Sequence, residues 1–135
     1  MKITLIMVSS LDGVIAKDSN HNAFEWTSAE DKKHFQSLSK EISVVVMGGN
    51  TFKASGRSNY PGRIAYVLTN NPKNYDMGED VYPLSGTPQS VAAQLREKCH
   101  KHVALIGGAQ VNRDFLLAGL VDDIYLTVEP LIFVK

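Results

Sequence analysis

The sequence predicts an α/β fold built on a mostly parallel central sheet, and two observations lead to this prediction. First, short apolar runs alternate with segments of helical periodicity along the 135-residue chain; the runs cover residues 3–8, 42–47, 64–68, 103–106 and 124–128. Second, several of these runs are apolar nearly throughout, which is typical of strands that helices cover on both faces of a parallel sheet. Alternating strands and helices favour right-handed crossover connections.

The first predicted helix begins after Thr27, because Thr27 and Glu30 have the spacing of a capping box. Asp31 shares one stripe of this helix with Phe35 and Leu38, at positions i, i+4 and i+7. A buried carboxylate is costly unless it is paired or protonated, and proteins mostly keep one where chemistry needs a proton. Asp31 is therefore a candidate catalytic residue; a rotated helix with Glu30 facing inward is the alternative.

Glycine pairs follow two of the apolar runs, Gly48-Gly49 after the second and Gly107-Gly108 after the fourth. Glycine at the carboxyl end of a strand lets a ligand approach the backbone, and the next helix offers its first N–H groups to a phosphate. Two such turns on neighbouring strands would suit a dinucleotide, although neither has the spacing of the Rossmann fingerprint or of a P-loop. The alternative is that both are tight turns that close βα units.

Two further helices are predicted in the second half of the chain. Thr87 is the N-cap of one and Pro88 its first residue. Its buried face is predicted to carry Val91, Leu95 and Cys99. The other follows the second glycine pair over residues 109–118 and ends at Gly119 as its C-cap.

Composition excludes several classes of function. Fourteen basic and fourteen acidic side chains give no net charge, and they are scattered, so no nucleic-acid-binding surface is predicted. The single cysteine excludes an internal disulfide, and no Cys or His cluster indicates a metal site. The apolar N-terminal run meets polar residues too early for a signal peptide or a membrane span. We expect one cytoplasmic domain over residues 1–135, without a metal, membrane or nucleic-acid partner.

Short motifs in a fixed order resemble those of the dihydrofolate reductase family across nearly the whole chain. They are Trp26 with Asp31 and Phe35 following it, Met47-Gly48-x-x-Thr51-Phe52, Pro61-Gly62-Arg63, Ile106-Gly107-Gly108 and Tyr125-Leu126-Thr127. The resemblance implies a single-domain, three-layer fold and hydride transfer from NADPH to a pterin, which reduces dihydrofolate to tetrahydrofolate. It also implies that the polar loop before Trp26 is an active-site lid; composition alone suits a plain surface loop equally.

The resemblance implies a role for each matching residue. Asp31 would hold the pterin and support its protonation, with Thr127 holding a water beside that carboxylate and Trp26 completing the catalytic group. The substrate cleft would be lined by Ile6, Met7, Phe35, Ser55 and Arg63, of which Arg63 would bind the substrate's carboxylate. The cofactor site would be lined by Ala16, Gly48, Gly49, Asn50, Thr51, Thr69, Asn70, Ile106, Gly107, Gly108, Ala109, Gln110 and Val111.

Three positions depart from the family pattern. Gly49 stands where the family has an arginine that binds the cofactor's 2′-phosphate, so weaker discrimination between NADPH and NADH is expected. Asn112 replaces a tyrosine that abuts the nicotinamide, and Ser55 replaces an aliphatic residue of the folate cleft. The alternative contacts to the 2′-phosphate are Thr69, Asn70 and Lys73.

Other segments resemble the sister family, the reductase of riboflavin biosynthesis, which reduces a ribosylamino-pyrimidine phosphate on the same fold. The segment Ser10-Leu11-Asp12-Gly13 and residues 119–123 with Pro130 carry this resemblance. A reductase of that type and a non-catalytic nucleotide-binding protein are therefore the alternatives to dihydrofolate reduction.

The sequence stops at Lys135, whereas both families continue into a β-hairpin beside the last strand. An unpaired strand edge and the apolar run 131–134 both favour association. We therefore expect either a fold that lacks this hairpin or a sequence truncated at Lys135, and a homodimer that forms through the C-terminal strand, residues 122–128.

Overall fold

The computed structural model describes residues 1–10 and 41–129, which contain six strands and, between them, three α-helices. The strands are β1 (Lys2–Ser10), β2 (Val44–Gly48), β3 (Ile64–Leu68), β4 (Val81–Leu84), β5 (His102–Leu105) and β6 (Asp123–Glu129). The helices are α1 (Gly49–Ser55), α2 (Pro88–Glu97) and α3 (Ala109–Leu117), and a 3₁₀ turn covers Pro72–Asn74. No helix in this part of the chain is long and apolar enough to cross a membrane.

The six strands form one sheet in the order β4-β3-β2-β5-β1-β6, and every pairing in it is parallel. The carboxyl ends of all six strands therefore lie at one edge of the sheet. Two contacts fix β6 beside β1: Lys2 Nζ lies 2.6 Å from Asp123 Oδ2, and Ile3 N–H donates to Asp122 Oδ2 over 2.8 Å. The predicted α/β architecture with a parallel sheet is confirmed.

Buried side chains alternate along the strands and form a core on each face of the sheet. Helices α2 and α3 cover one face, where Leu95 and Phe115 pack with strand residues such as Leu105. Helix α1 covers the other face through Phe52, in the same cluster as Ile6. The sheet is thus the middle of three layers, as predicted.

Strand β4 is not predicted by the apolar pattern. Buried and exposed residues do not alternate along it: Val81 and Leu84 are buried, and the two residues between them are exposed. One of these is Pro83, which an edge strand tolerates because its missing N–H faces away from the sheet.

The helix ends agree with prediction at two places and differ at one. Thr87 caps α2, its Oγ1 accepting from the N–H of Ser90 over 3.1 Å, and Gly119 follows the end of α3 at φ 69°. The prediction that Cys99 belongs to the buried face of α2 is wrong. The helix ends at Glu97, and Cys99 is exposed with φ 64°.

Candidate functional site

The two glycine pairs meet at the carboxyl edge of the sheet. Strands β2 and β5 are parallel neighbours, so the turns that follow them leave the sheet side by side. Gly48 N–H donates to Gly107 O over 2.7 Å, and Ile106 N–H donates to Val46 O over 3.0 Å. These backbone hydrogen bonds hold the two turns in a fixed relation to each other.

The second turn presents backbone without side chains, and Thr51 and Asn112 lie beside it. Gly107 has φ 111°, a conformation that favours glycine, and its peptide bond to Gly108 is cis. A Cβ on Gly107 would lie 3.6 Å from Thr51 Oγ1 and 4.0 Å from Asn112 Nδ2, and one on Gly108 would lie 3.4 Å from the same Thr51 hydroxyl. A Cβ at either position would make ordinary contacts with these side chains, and its absence leaves the backbone of the turn without a side chain of its own.

Helix α3 begins at this turn, and no side chain caps its first backbone N–H groups. Its N-cap is Gly108, which makes no side-chain capping bond, so the first N–H groups remain available. The helix dipole adds partial positive charge at the same place, which favours an anionic or polar acceptor. The first-turn residue Gln110 is exposed, and its Nε2 donates to Asp114 Oδ1 over 3.0 Å. The backbone N–H groups are therefore the donors that this turn offers to a ligand.

Asn112 lies under the turn and is only 6% exposed. Its backbone N–H donates to Gly108 O over 2.9 Å, as expected within a helix. Its side-chain Oδ1 is fully buried and accepts no hydrogen bond. An unsatisfied buried acceptor costs about 1–3 kcal/mol. The carboxamide atom that borders the glycine turn is the donor Nδ2, 4.0 Å from the position of a Cβ on Gly107.

The first turn is closed on one side by Tyr75. A Cβ on Gly49 would overlap the Tyr75 hydroxyl and would lie 2.6 Å from its Cζ atom. The Tyr75 ring is held by Phe52, at 6.2 Å between ring centres, and by Lys53, whose Nζ lies 4.9 Å from the ring centre. Gly49 is therefore the residue that lets Tyr75 pack at the start of α1.

Two arginines flank a buried tyrosine on the α1 face of the sheet. The Cζ atoms of Arg63 and Arg57 lie 5.5 and 5.7 Å from the centre of the Tyr60 ring, and Tyr60 Oη donates to Ser55 Oγ over 2.8 Å. Burial raises the pKa of Tyr60, whereas desolvation and then the nearby Arg57 charge lower the pKa of Arg63. Guanidinium groups form bidentate hydrogen bonds with carboxylates and phosphates, so the two arginines around Tyr60 are a candidate anion site.

A tight turn places Arg63 at the amino end of β3. Arg63 N–H donates to Tyr60 O over 3.0 Å, and Gly62 has φ 77°, which suits a type II turn with Pro61 before it. Since β3 is five residues long, the glycine turns at the other end of the sheet are roughly 16 Å away along the strand. A ligand that reaches both must therefore be elongated.

The structure brings most of the predicted cofactor residues to the carboxyl edge of the sheet. They are Gly48, Gly49, Asn50, Thr51, Thr69, Asn70, Ile106, Gly107, Gly108, Ala109, Gln110 and Val111. Thr69 Oγ1 already accepts from Asn71 N–H over 3.0 Å, and Asn70 is exposed.

The predicted substrate residues do not all lie on the same face of the sheet. Ile6 is buried on the α1 face with Tyr60, but Met7 packs on the opposite face. Ser55 and Arg63 both contact Tyr60. The Ser55 hydroxyl donates to Phe52 O over 2.7 Å. Thr127 lies in β6 opposite Val8. The predictions for Ala16, Trp26, Asp31 and Phe35 lie outside the described residues.

Three residues of this region, Arg57, Tyr60 and Tyr75, are absent from the sequence-based prediction. Tyr60 could have been found, because the Pro61-Gly62 turn reverses the chain just before β3 and returns the preceding residue to the sheet. Tyr75 has no such signal, since the loop path after β3 decides where its ring lies.

Comparisons with known proteins agree with this architecture. The family profile described as dihydrofolate reductase matches residues 2–129. YwjB of Bacillus subtilis (strain 168), whose function is uncharacterised, is 24% identical over 138 residues, which cover 97% of this chain and 78% of YwjB. A crystal structure from Shewanella sp. PV-4, of a protein provisionally named a riboflavin biosynthesis protein, superposes with a TM-score of 0.76 at 24% identity. That match covers 98% of this chain and 78% of the other.

Proposed function

The chain belongs to the dihydrofolate reductase family, and on that premise we propose that it is an NAD(P)H-dependent reductase with 7,8-dihydrofolate as its first candidate substrate. The observation that supports this most is the junction of the two glycine turns at the carboxyl edge of the sheet. In open parallel sheets, ligands bind at that edge.

The residues at the junction fit a nicotinamide dinucleotide. The N-terminus of α3, which no side chain caps, suits a phosphate, and Thr51 Oγ1 and Asn112 Nδ2 border the second glycine turn on the side where a Cβ of Gly107 would lie. The cofactor, when bound, would supply the hydride. The chain's own part is to hold it against the glycine backbone, where Gly107 and Gly108 carry no side chain that would keep it away.

At the other end of the α1 face, Arg63 and Arg57 would bind the anionic end of the substrate. The roughly 16 Å between this pair and the glycine turns is a length that an elongated substrate and the nicotinamide end of the cofactor could share. Asp31 would hold the substrate ring and support its protonation, and Thr127 would position the water beside it. Ile6 is buried on the same face and would pack against the ring.

Absorbance at 340 nm tests the proposal directly. Purified protein is mixed with NADPH and dihydrofolate, and the assay is repeated with NADH. We expect substrate-dependent loss of absorbance, and methotrexate should bind more tightly when NADPH is present. Binding of NADPH without turnover of any substrate would instead identify a non-catalytic nucleotide-binding protein.

Reduction of a ribosylamino-pyrimidine phosphate is the second candidate. The Arg57–Arg63 pair suits a phosphate as well as a carboxylate, since guanidinium groups bind both in bidentate fashion. The polar Ser55 beside this pair and the name of the Shewanella protein also favour it. Turnover of the pyrimidine with no methotrexate binding would select this candidate over dihydrofolate.

A further inference from the structure

Tyr60 contacts both arginines of the candidate anion site and the backbone on which each of them is carried. The Cζ atoms of Arg63 and Arg57 lie 5.5 and 5.7 Å from its ring centre. Its carbonyl oxygen accepts from Arg63 N–H over 3.0 Å. Its hydroxyl donates to Ser55 Oγ, which also accepts from Arg57 N–H over 3.3 Å. Tyr60 is therefore the residue through which the two arginines are connected.

The Tyr60 ring is itself held in place by the core. It is 5% exposed and packs with Ile6 and Phe52, and its ring centre lies 6.4 Å from that of Phe52. The hydroxyl is anchored to the end of α1, because Ser55 Oγ in turn donates to Phe52 O over 2.7 Å. Close packing and a hydrogen-bonded hydroxyl leave such a ring few rotamers, so it is a rigid surface for the guanidinium groups.

A rigid ring next to two arginines prepares them for a ligand. An arginine that is free to move loses rotamer freedom when it binds, and this loss weakens binding. An aromatic ring attracts a guanidinium group within about 6 Å of its centre, and both distances here fall within that limit. Desolvation and then the Arg57 charge lower the pKa of Arg63, and an anion bound here would favour the charged form again.

We propose that Tyr60 is the positioning residue of the anion site, whose ring holds the guanidinium groups of Arg57 and Arg63 in the orientation that the anionic group of the substrate meets. The inference rests on the proposed function and extends it to a residue that acts through the arginines. The anionic group can be the carboxylate of a folate or the phosphate of a pyrimidine nucleotide, since guanidinium groups bind both. The effect should appear in the affinity for anionic ligands and leave kcat unchanged.

The experiment compares methotrexate with its dimethyl ester, which has the same rings and no negative charge. Dissociation constants are measured by fluorescence titration with NADPH present, for the wild type, Tyr60→Leu, Tyr60→Phe and the matched control Tyr82→Leu. The control makes the same change at a tyrosine of β4 that is 47% exposed. A second arm makes the same comparison with the ribosylamino-pyrimidine phosphate and its dephosphorylated form. The arm in which the anionic form binds more tightly identifies the carboxylate or the phosphate as the natural group.

We expect the wild type and Tyr82→Leu to prefer the anionic form to the same extent. In Tyr60→Leu this preference should fall by roughly tenfold, the combined value of two cation–π contacts. Tyr60→Phe keeps the ring and should retain most of the preference. The ratio of the two affinities is the readout because partial damage to the fold weakens both forms and leaves their ratio unchanged. With a substrate that turns over, the loss in Tyr60→Leu should appear in KM.

A variant of unchanged shape keeps the test valid if Tyr60→Leu does not fold. Pentafluorophenylalanine in place of Tyr60 has the size of the ring in Tyr60→Phe, but fluorine withdraws the negative charge from its face. It should lower the preference for the anionic form relative to Tyr60→Phe. Equal preferences in these two proteins would overturn the role of the ring.

The remaining outcomes separate this inference from the proposed function. A wild type that binds no ligand of either arm overturns both. A wild type that binds the two forms of each ligand equally overturns the anion site and, with it, the role of Tyr60. A wild type that prefers the anionic form, with the same preference in Tyr60→Leu or an equal loss in Tyr60→Phe and Tyr60→Leu, overturns the role of the Tyr60 ring and leaves the proposed function standing.

Discussion

Asp31 is the residue on which the proposed chemistry depends most. Asparagine has nearly the size of aspartate, so Asp31→Asn should keep the fold but should be unable to hold a protonated substrate ring. We expect a loss of a hundredfold or more in kcat/KM at neutral pH, the range for removal of a positioned acid–base group. Steady-state kinetics with NADPH and dihydrofolate measure it.

Glu30→Gln is the matched control for that variant, because it changes the adjacent carboxylate in the same way. It should have nearly wild-type kcat/KM. An equal loss in both variants, or a loss in Glu30→Gln alone, would contradict the helix face that the spacing with Phe35 and Leu38 assigns to Asp31.

Gly49 and Tyr75 should behave as a coupled pair. A side chain at position 49 meets the Tyr75 ring, so Gly49→Ala should displace the ring from Phe52 and Lys53 and destabilise the protein by about 1 kcal/mol. The same change in a Tyr75→Ala background should cost much less. Urea unfolding of the four proteins in this double-mutant cycle gives the coupling energy, and additive effects would mean that the contact has no energetic weight.

The same pair bears on the choice between NADPH and NADH. Gly49→Arg alone is hindered by Tyr75, but Gly49→Arg with Tyr75→Ala has room for a guanidinium at the start of α1. We expect the double variant to prefer NADPH over NADH more strongly in kcat/KM than Tyr75→Ala alone. A wild-type preference of several thousandfold would show that another residue already binds the 2′-phosphate.

At the scale of elements, the sequence predicts what depends on periodicity and misses what depends on loop paths. Five strands follow from apolar runs, and the meeting of the glycine pairs follows from a parallel sheet. Strand β4 does not, because Pro83 and the exposed Tyr82 leave no apolar pattern. The position of the Tyr75 ring against Gly49 is likewise invisible in the sequence, since it depends on how the loop after β3 returns to α1.

A hydrogen bond between Tyr66 of β3 and His100, which follows α2, should make the stability of the protein depend on pH. Tyr66 Oη lies 2.7 Å from His100 Nε2, and burial, with a smaller effect of Lys98, lowers the pKa of His100 below its ordinary 6.5. The unfolded chain therefore binds a proton at a higher pH than the folded one. This contribution to stability is complete above about pH 6.5 and is lost as the pH falls through the folded-state pKa.

His100→Gln removes the titrating group and keeps a polar side chain that can reach Tyr66. The difference in urea midpoint between wild type and His100→Gln should be largest near pH 7.5 and should shrink toward pH 5. A difference that is constant over this range would show that His100 does not titrate differently in the folded and unfolded states.

At the scale of the molecule, β6 presents apolar side chains at the end of the described sheet. Ile124, Tyr125 and Leu126 are 55%, 49% and 53% exposed, and among the described strands β6 pairs with β1 alone. Successive residues point to opposite faces, so both faces of this strand are apolar. We propose that a second copy of the chain covers this edge in a homodimer.

Sedimentation velocity at micromolar concentration tests the homodimer. The wild type should sediment as a dimer and Leu126→Arg as a monomer. Leu117→Arg, which alters a 76% exposed leucine on α3, is the matched control and should leave the dimer intact. A wild-type monomer, or a dimer that Leu126→Arg does not weaken, would contradict an interface along β6.

The position of β1 between β5 and β6 sets the order in which the chain can fold. The Thr4–His102 hydrogen bond joins residues 98 positions apart, and the Ile3–Asp122 hydrogen bond joins residues 119 positions apart. During synthesis, the first strand therefore emerges long before either of its neighbours exists, while β2, β3 and β4 can already pair with one another. Closing such long loops is entropically expensive, so folding should be slow and should end with the insertion of β1. Until then the nascent chain carries an apolar strand that neither β5 nor β6 covers, which favours aggregation at this stage.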